Sequence, residues 1–383
     1  MHFQFTELQT SVQRMMKEFV DREVMPIAME YELADKYPTP VVEKMQELGF
    51  FGFTIPEEYG GSGMDEVCYA IAMEELSVGW MSVAGILGTH MMTAWMIQHY
   101  GTDEQKKTYL PKMATGEWHS GMALTEPGSG SDAAALKTRA VREDDQWVMN
   151  GSKMFITNAE HGTMFSVFAR TDPERPKAKG ISCILVHKGT PGFQVSRHLK
   201  KMGYRGIRTS ELVFEDARVP LENLLGQENE GFPMIMSGLE GGRVNVAARS
   251  VGLARAAFED SMRYSQQRET FGKPLAGHQL IQAKLAEMGT RIHAAKLMTY
   301  HAANLKAQGK RCDLEAGMAK FFASETAEFC ASEAIQVHGG MGYIQELPVE
   351  RYFRDSKLLV VGEGSNEIQR LIIAKRLLEQ YPA

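Results

Sequence analysis

The chain has 383 residues, 48 of them acidic and 42 basic, for a formal charge of −6. This length predicts two or three packed regions rather than one simple core, and the acidic balance excludes a surface built to neutralise a phosphate backbone, so no nucleic-acid partner is expected. Cys68, Cys183, Cys312 and Cys330 are scattered without a Cys-x-x-Cys pair and the eleven histidines lack ligand spacing, which predicts neither a metal site nor a disulfide framework.

Thr6 to Gln9 reads as a capping box, and Leu8, Val12, Met15, Phe19 and Val20 follow at the spacing of one helical face, predicting a first helix that runs to Pro26. No secretory signal pattern precedes it, so the protein reads as cytoplasmic. Helical periodicity returns over Val41 to Leu48, Val67 to Val78, Trp80 to Tyr100 and Asp103 to Met113, with a turn cluster at Glu57 to Gly63. The apolar run Trp80 to Ile97 carries Ser82, Thr89, His90 and Thr93 and falls just short of a bilayer span, so a buried helix and no membrane insertion are expected.

From about Ser120 the pattern changes to short runs rich in β-formers: Trp147 to Met149, Phe165 to Phe168, Ile181 to Val186, Phe193 to Val195 and Glu211 to Phe214. Long helical segments resume over Gly231 to Gln267, Gln279 to Ala307 and Leu314 to Val337, broken at Gly272, Gly309 and Gly339 to Gly342. The expected organisation is α+β: an N-terminal α-helical domain (1–118), a middle β domain (119–225) and a C-terminal α-helical bundle (226–383).

Two segments carry chemical interest. Thr125 to Ala133 contains a Gly-x-Gly-x-x-Ala match, but Pro127 precedes it and the strand-helix alternation of a doubly wound sheet is missing, so a Rossmann turn is rejected. A loop of glycines and hydroxyls still offers backbone N–H groups to a phosphate or flavin, or serves as an ordinary turn. Glu363 follows Leu358 to Val361 and precedes a helix carrying Ile368, Leu371, Ile372, Leu377 and Leu378, which predicts apolar surroundings and a raised pKa suited to a base working on carbon. The competing reading places Glu363 at the positive end of a helix capped by Asn366 and Gln369. His338 reads as structural.

Taken together, Thr125 to Asp132, Phe155 to Asn158, Arg268 to Gly272, His338 to Tyr343 and Glu363 to Arg370 resemble the acyl-CoA dehydrogenase family in order and spacing over essentially the whole chain, nearest its short-chain and branched-chain members. The resemblance implies a helical domain, a β-barrel-like middle domain and a four-helix bundle enclosing FAD. It implies flavin contacts from Met122, Leu124, Thr125, Gly130, Ser131, Phe155, Ile156 and Thr157. Arg268, Phe271, Gln279, Gln336, Gly339 and Gly340 would reach the cofactor's pyrophosphate and adenosine across a subunit boundary, with Ser365 and Glu367 completing the set. Ser131, Glu240, Arg243 and Gly364 match positions that contact the acyl-CoA. The implied reaction is α-proton abstraction by Glu363 and β-hydride transfer to flavin N5, giving a trans-2-enoyl-CoA. A homotetramer and reoxidation by an electron-transfer flavoprotein are also implied, with an oxygen-dependent oxidase or an enoyl-CoA reductase as alternative uses of the scaffold.

Some residues depart from the family pattern. Gly242 occupies the place where some members carry the base, leaving Glu363 without a rival. Gly362 stands where a larger residue is usual, which opens the pocket to a branched, cyclic or aryl acyl group unless Trp80, Met91, Met92 and Trp95 refill it. Glu240, Ser365 and Phe155 replace aspartate, threonine and tryptophan. No arginine or lysine lies in Trp80 to His90, which disfavours a glutaryl-type substrate.

Overall fold

A computed structural model describes residues 4–381. Six helices come first: α1 (Glu7–Phe19), α2 (Met25–Leu33), α3 (Thr39–Glu47), α4 (Glu66–Gly79), α5 (Met81–Tyr100) and α6 (Asp103–Ala114). The Thr6 capping box forms as expected, with Thr6 Oγ1 accepting from Gln9 N–H and Gln9 Oε1 accepting from Thr6 N–H, and Thr102 and Gln105 repeat it on α6. The helix does not stop at Pro26. A π turn, Val20–Val24, carries the chain into α2, whose first turn holds the proline. That face buries Val12, Met16, Phe19 and Val20, whereas Leu8 and Met15 are exposed, because the contact stripe follows 3.6-residue periodicity onto Met16.

Eight strands follow: β1 (Ser120–Ala123), β2 (Arg139–Glu143), β3 (Gln146–Thr157), β4 (Met164–Arg170), β5 (Ile181–His187), β6 (Phe193–His198), β7 (Thr209–Pro220) and β8 (Leu224–Leu225). They form one sheet in the order β6-β7-β3-β2-β4-β5-β8, with β1 added parallel to β4. Trp147, Met149, Phe165, Val167, Ile184 and Phe214 build its own apolar core. In the β3–β7 ladder the register slips between Lys153 and Ile156, so Met154 and Phe155 together face one residue of β7. This bulge leaves Phe155 at φ 61° and turns its ring outward, 61 % exposed.

The last third holds α7 (Gly231–Gln267), α8 (Gln279–Ala307), α9 (Asp313–His338), the single turn α10 (Gly340–Tyr343), α11 (Val349–Val361) and α12 (Asn366–Gln380). α7 packs along α9 and against α4, α5 and α8, joining the two helical regions. The approach to α4 is close: a Cβ on Gly252 would lie 2.1 Å from Glu74 O, so only glycine fits there. α4 and α5 are buried over most of their length, which accounts for the apolar run from Trp80. Among the described residues no helix is long and apolar enough to cross a membrane.

Candidate functional site

Glu363 sits in the turn between α11 and α12, flanked by Gly362 and by Gly364 at φ 84°. Its own φ of 52° lies in the left-handed region that a side-chain-bearing residue adopts only when its surroundings impose it. The twist carries the side chain inward against α7. There Glu363 Oε1 accepts a hydrogen bond from Arg249 Nη2 at 2.9 Å, while Oε2 is buried without a partner. A Cβ built on Gly242 would stand 2.3 Å from that free oxygen and 2.9 Å from Met92 Cε. Gly242 therefore leaves the space that the carboxylate occupies.

The surroundings are less apolar than the flanking residues suggest. Leu358 and Val361 face outward, and Leu371 and Leu378 of α12 are exposed, while buried Arg249, Arg243 and Lys320 converge on the acid. Burial pushes the Glu363 carboxyl above its ordinary value, and Arg249, Lys320 and Arg243 oppose this without cancelling it. The expected direction holds, although polar groups brought in by α7 and α9 surround the carboxylate. The helix-cap reading of Asn366 and Gln369 does not hold. Ser365 occupies the cap position without a side-chain bond, Asn366 Oδ1 accepts instead from Lys320 Nζ at 2.9 Å and Ser324 Oγ at 3.1 Å, and Gln369 Nε2 donates to Gly364 O at 3.1 Å. These bonds hold the turn that carries Glu363.

A narrow pocket opens beside Gly242, lined by Tyr69 of α4, Gly88, Met91, Met92 and Trp95 of α5, Gly238 and Asn245 of α7, and Lys306 of α8. Trp80 is absent from it: the indole is fully buried elsewhere and donates Nε1–H to Glu32 Oε2 at 3.0 Å. Nor does Gly362 widen it, because a Cβ there would meet Leu358 O at 3.1 Å. The glycines at 88, 238, 241 and 242 set its width. Sequence reasoning singled out Gly242 but missed Arg249, Tyr69, Asn245 and the pocket glycines at 88, 238 and 241, because a long helix does not announce which residues of its buried face line a cavity.

A second surface lies along β1, β3 and the Thr125–Asp132 loop. Glu126, 7 % exposed, accepts Lys137 N–H at 2.6 Å, Thr138 N–H at 2.9 Å and Lys153 Nζ at 2.7 Å, while Met154 N–H donates to Thr125 O at 2.8 Å. The loop is thus bolted to β3 from beneath. Above it Gly128 and Gly130 face open space, Ser131 is exposed, Met122, Leu124, Thr125 and Thr157 are half-buried, and Phe155 stands outward, whereas Ile156 points into the sheet core. Arg268, Phe271 and Gln279 gather at the α7–α8 turn, where Phe271 is 97 % exposed, and Gln336, Gly339 and Gly340 lie exposed at the end of α9. Among the described residues no hydrogen bond joins either group to the Thr125–Thr157 surface.

Arg243 is buried with Nε unpartnered, and Glu240 Oε1 accepts from Cys312 Sγ at 3.3 Å, both on α7 below the pocket. Gly364 and Ser365 adjoin Glu363, and Glu367 is exposed on the first turn of α12. His338 is structural as expected, with Nδ1 against Ala334 O at 2.8 Å and its ring stacked on Tyr264.

Comparison with known proteins bears on what this arrangement does. Residues 6–117, 121–217 and 229–378 match the family models for the acyl-CoA dehydrogenase N-terminal, middle and C-terminal domains. The chain is 43 % identical to an acyl-CoA dehydrogenase of Bacillus subtilis over 97 % of this chain and 98 % of that one. It is 40 % identical to an acryloyl-CoA reductase (NADH) of Anaerotignum propionicum over 99 % of this chain and 97 % of that one. Among solved structures, a chain from that of the electron transferring flavoprotein of Acidaminococcus fermentans superposes with a TM-score of 0.97 at 41 % identity, covering 99 % of this chain and 100 % of that one.

Proposed function

The chain belongs to the acyl-CoA dehydrogenase family, and from that premise we propose that Glu363 removes the α proton of an acyl-CoA bound in the pocket beside Gly242. The observation that carries this reading is the free, buried Oε2 of a carboxylate held at positive φ and aimed across that glycine. A desolvated carboxylate is a stronger base than one in water, which suits a weakly acidic C–H. The Glu363 N–H, which donates to no acceptor among the described residues, is available to the thioester oxygen and would stabilise enolate charge as the proton leaves. The product is a trans-2-enoyl-CoA.

The family is FAD-dependent, and the chain's open surfaces fit the cofactor. The glycine loop at 128–130 leaves room for a planar group to approach backbone, and Phe155 and Phe271 are large apolar side chains left mostly exposed among the described residues. Met122, Leu124, Thr125, Gly130, Ser131, Phe155 and Thr157 would hold the ring end, with Ile156 contributing backbone only. Arg268, Phe271, Gln279, Gln336, Gly339 and Gly340 would hold the pyrophosphate and adenosine of a neighbouring subunit's cofactor, which requires a homo-oligomer, read as a tetramer. Ser365 and Glu367 would complete that set beside the turn. When bound, FAD supplies the acceptor for the hydride that leaves Cβ. Arg243 would face a polar part of the CoA, with Ser131, Glu240 and Gly364 along its path.

The narrow, glycine-lined pocket, walled by Met91, Met92 and Trp95, favours a short acyl group. An electron-transfer flavoprotein is the acceptor this reading favours, supported by the likeness to a chain from a structure of such a flavoprotein. Likeness to an acryloyl-CoA reductase supports a second reading, in which the same site runs toward the saturated thioester. Anaerobic titration of the holoenzyme with a panel of acyl-CoAs tests the first. Bleaching of the flavin band in wild type and none in Glu363→Gln is expected, and bleaching that survives the substitution would remove Glu363 from the role of base.

A further inference from the structure

Arg249 is the unassigned group closest to the chemistry. It projects from α7, seven residues beyond Gly242, and its side chain is 7 % exposed. Nη2 donates to Glu363 Oε1 at 2.9 Å and Nη1 to the Tyr204 hydroxyl at 3.2 Å, while Nε finds no acceptor. The carboxylate and the phenol alone therefore set the plane of the guanidinium. Tyr204 is itself closely packed: its backbone is at φ 58°, its N–H donates to Asp355 Oδ1 at 2.6 Å, and its hydroxyl fills the place where a Cβ on Gly85 would stand. The packed phenol bonds the arginine, and the arginine bonds one carboxylate oxygen.

The other ionisable groups facing Glu363 are Arg243 on α7, Lys320 on α9, Tyr69 on α4 and Tyr204 itself. Lys320 is committed to Asn366 Oδ1, and Arg243 makes no bond to Glu363, so among the described residues Arg249 is the only cation in direct contact with it. A carboxyl group enclosed this way would prefer its neutral form, which cannot accept the α proton. We propose that Arg249 is a positioning residue for the base: by holding Oε1 it keeps Glu363 ionised in a half-buried site and turns the buried Oε2 toward the substrate.

This inference rests on the reading of Glu363 as the base, and its test separates the two. The pH dependence of anaerobic single-turnover flavin reduction is measured for holoenzyme carrying Arg249→Met, Arg249→Gln or Arg249→Lys. Loss of the cation is expected to raise the acid limb of the profile by at least ~1 pH unit, so that reduction below the limb falls about tenfold beyond any change at its plateau. Arg249→Lys restores the limb but only part of the plateau, because an ammonium supplies the charge without the fork that fixes direction.

If Arg249 only supports the fold, thermal stability falls in the Met variant while the limb stays in place, and the proposal is wrong. If a dicarboxylyl-CoA is the preferred substrate and Arg249→Met raises its KM alone, the arginine is a substrate ligand and the proposal is equally wrong. Should the Met variant not fold, an infrared titration of the Glu363 carboxyl band in the Lys and Gln variants, assigned by difference from Glu363→Gln, gives the same decision. Reduction that persists in Glu363→Gln removes the base itself. A dead Glu363→Gln with an unmoved limb in the arginine variants removes only the role of Arg249.

Discussion

Gly242→Ala is the smallest change that addresses the geometry of the base. The added Cβ would stand 2.3 Å from Glu363 Oε2 and 2.9 Å from Met92 Cε, against an ordinary contact of at least 3.4 Å. Both obstructing atoms end flexible side chains, so the helix keeps its place and the carboxylate retreats by roughly 1 Å. Alanine is the better helix former by roughly 1 kcal/mol, so the variant should fold and melt no lower than wild type. A misplacement of about 1 Å at a reacting group costs about 100-fold in rate, or about 2.7 kcal/mol of barrier. Single-turnover flavin reduction at saturating acyl-CoA, alongside thermal unfolding of the same preparation, separates the two effects. The expected result is a slow, stable enzyme. Wild-type rates in Gly242→Ala would mean that the working carboxylate does not lie across this glycine, and the placement of the base would have to be abandoned.

Lys153→Met removes the cation beneath the Thr125–Asp132 loop and strands the buried Glu126 carboxylate, so unfolding by urea should register a loss of about 3–5 kcal/mol together with faster release of FAD. The double variant Glu126→Gln/Lys153→Met should recover part of it, and a single variant as stable as wild type would show that the pair does not hold the loop. Asp355→Asn addresses pH. Burial, reinforced by the neighbouring Glu32, pushes the Asp355 carboxyl from 3.8 up to about 7. The folded chain thus holds this proton more tightly than the unfolded one, and the stability it contributes is complete below about pH 3.8 and lost as pH rises through about 7. The asparagine variant should gain on wild type over that interval by up to ~1.4 kcal/mol for each unit of pH, and a constant difference in unfolding free energy across it would contradict this account.

What is legible in the sequence follows from local physics. Capping at Thr6, periodicity over Gly231 to Gln267, β-formers from Trp147 onward and glycine breaks at 272 and 309 act over a few residues, and the structure carries each of them. Strands β1, β2 and β8 escaped that reading because two to five residues containing Ser120, Arg139 and Arg142 form strand only when longer neighbours supply the ladder. The continuation of helix past Pro26 escaped because a π turn costs little where α1 and the turn itself pack against α4.

The sequence by itself determined the family and the α+β class, since motifs at 125, 268, 338 and 363 are contiguous strings, and it singled out Glu363 as the carboxylate to test. Only the tertiary structure decided what faces that carboxylate. Arg249 and Gly242 lie 114 and 121 positions before Glu363, Lys320 lies 43 before it, and their meeting depends on how α7 and α9 cross the turn after α11. A raised pKa could be anticipated from apolar neighbours in the sequence. Its actual balance, burial against three cations, is a sum over groups that only the folded packing brings within range of one another.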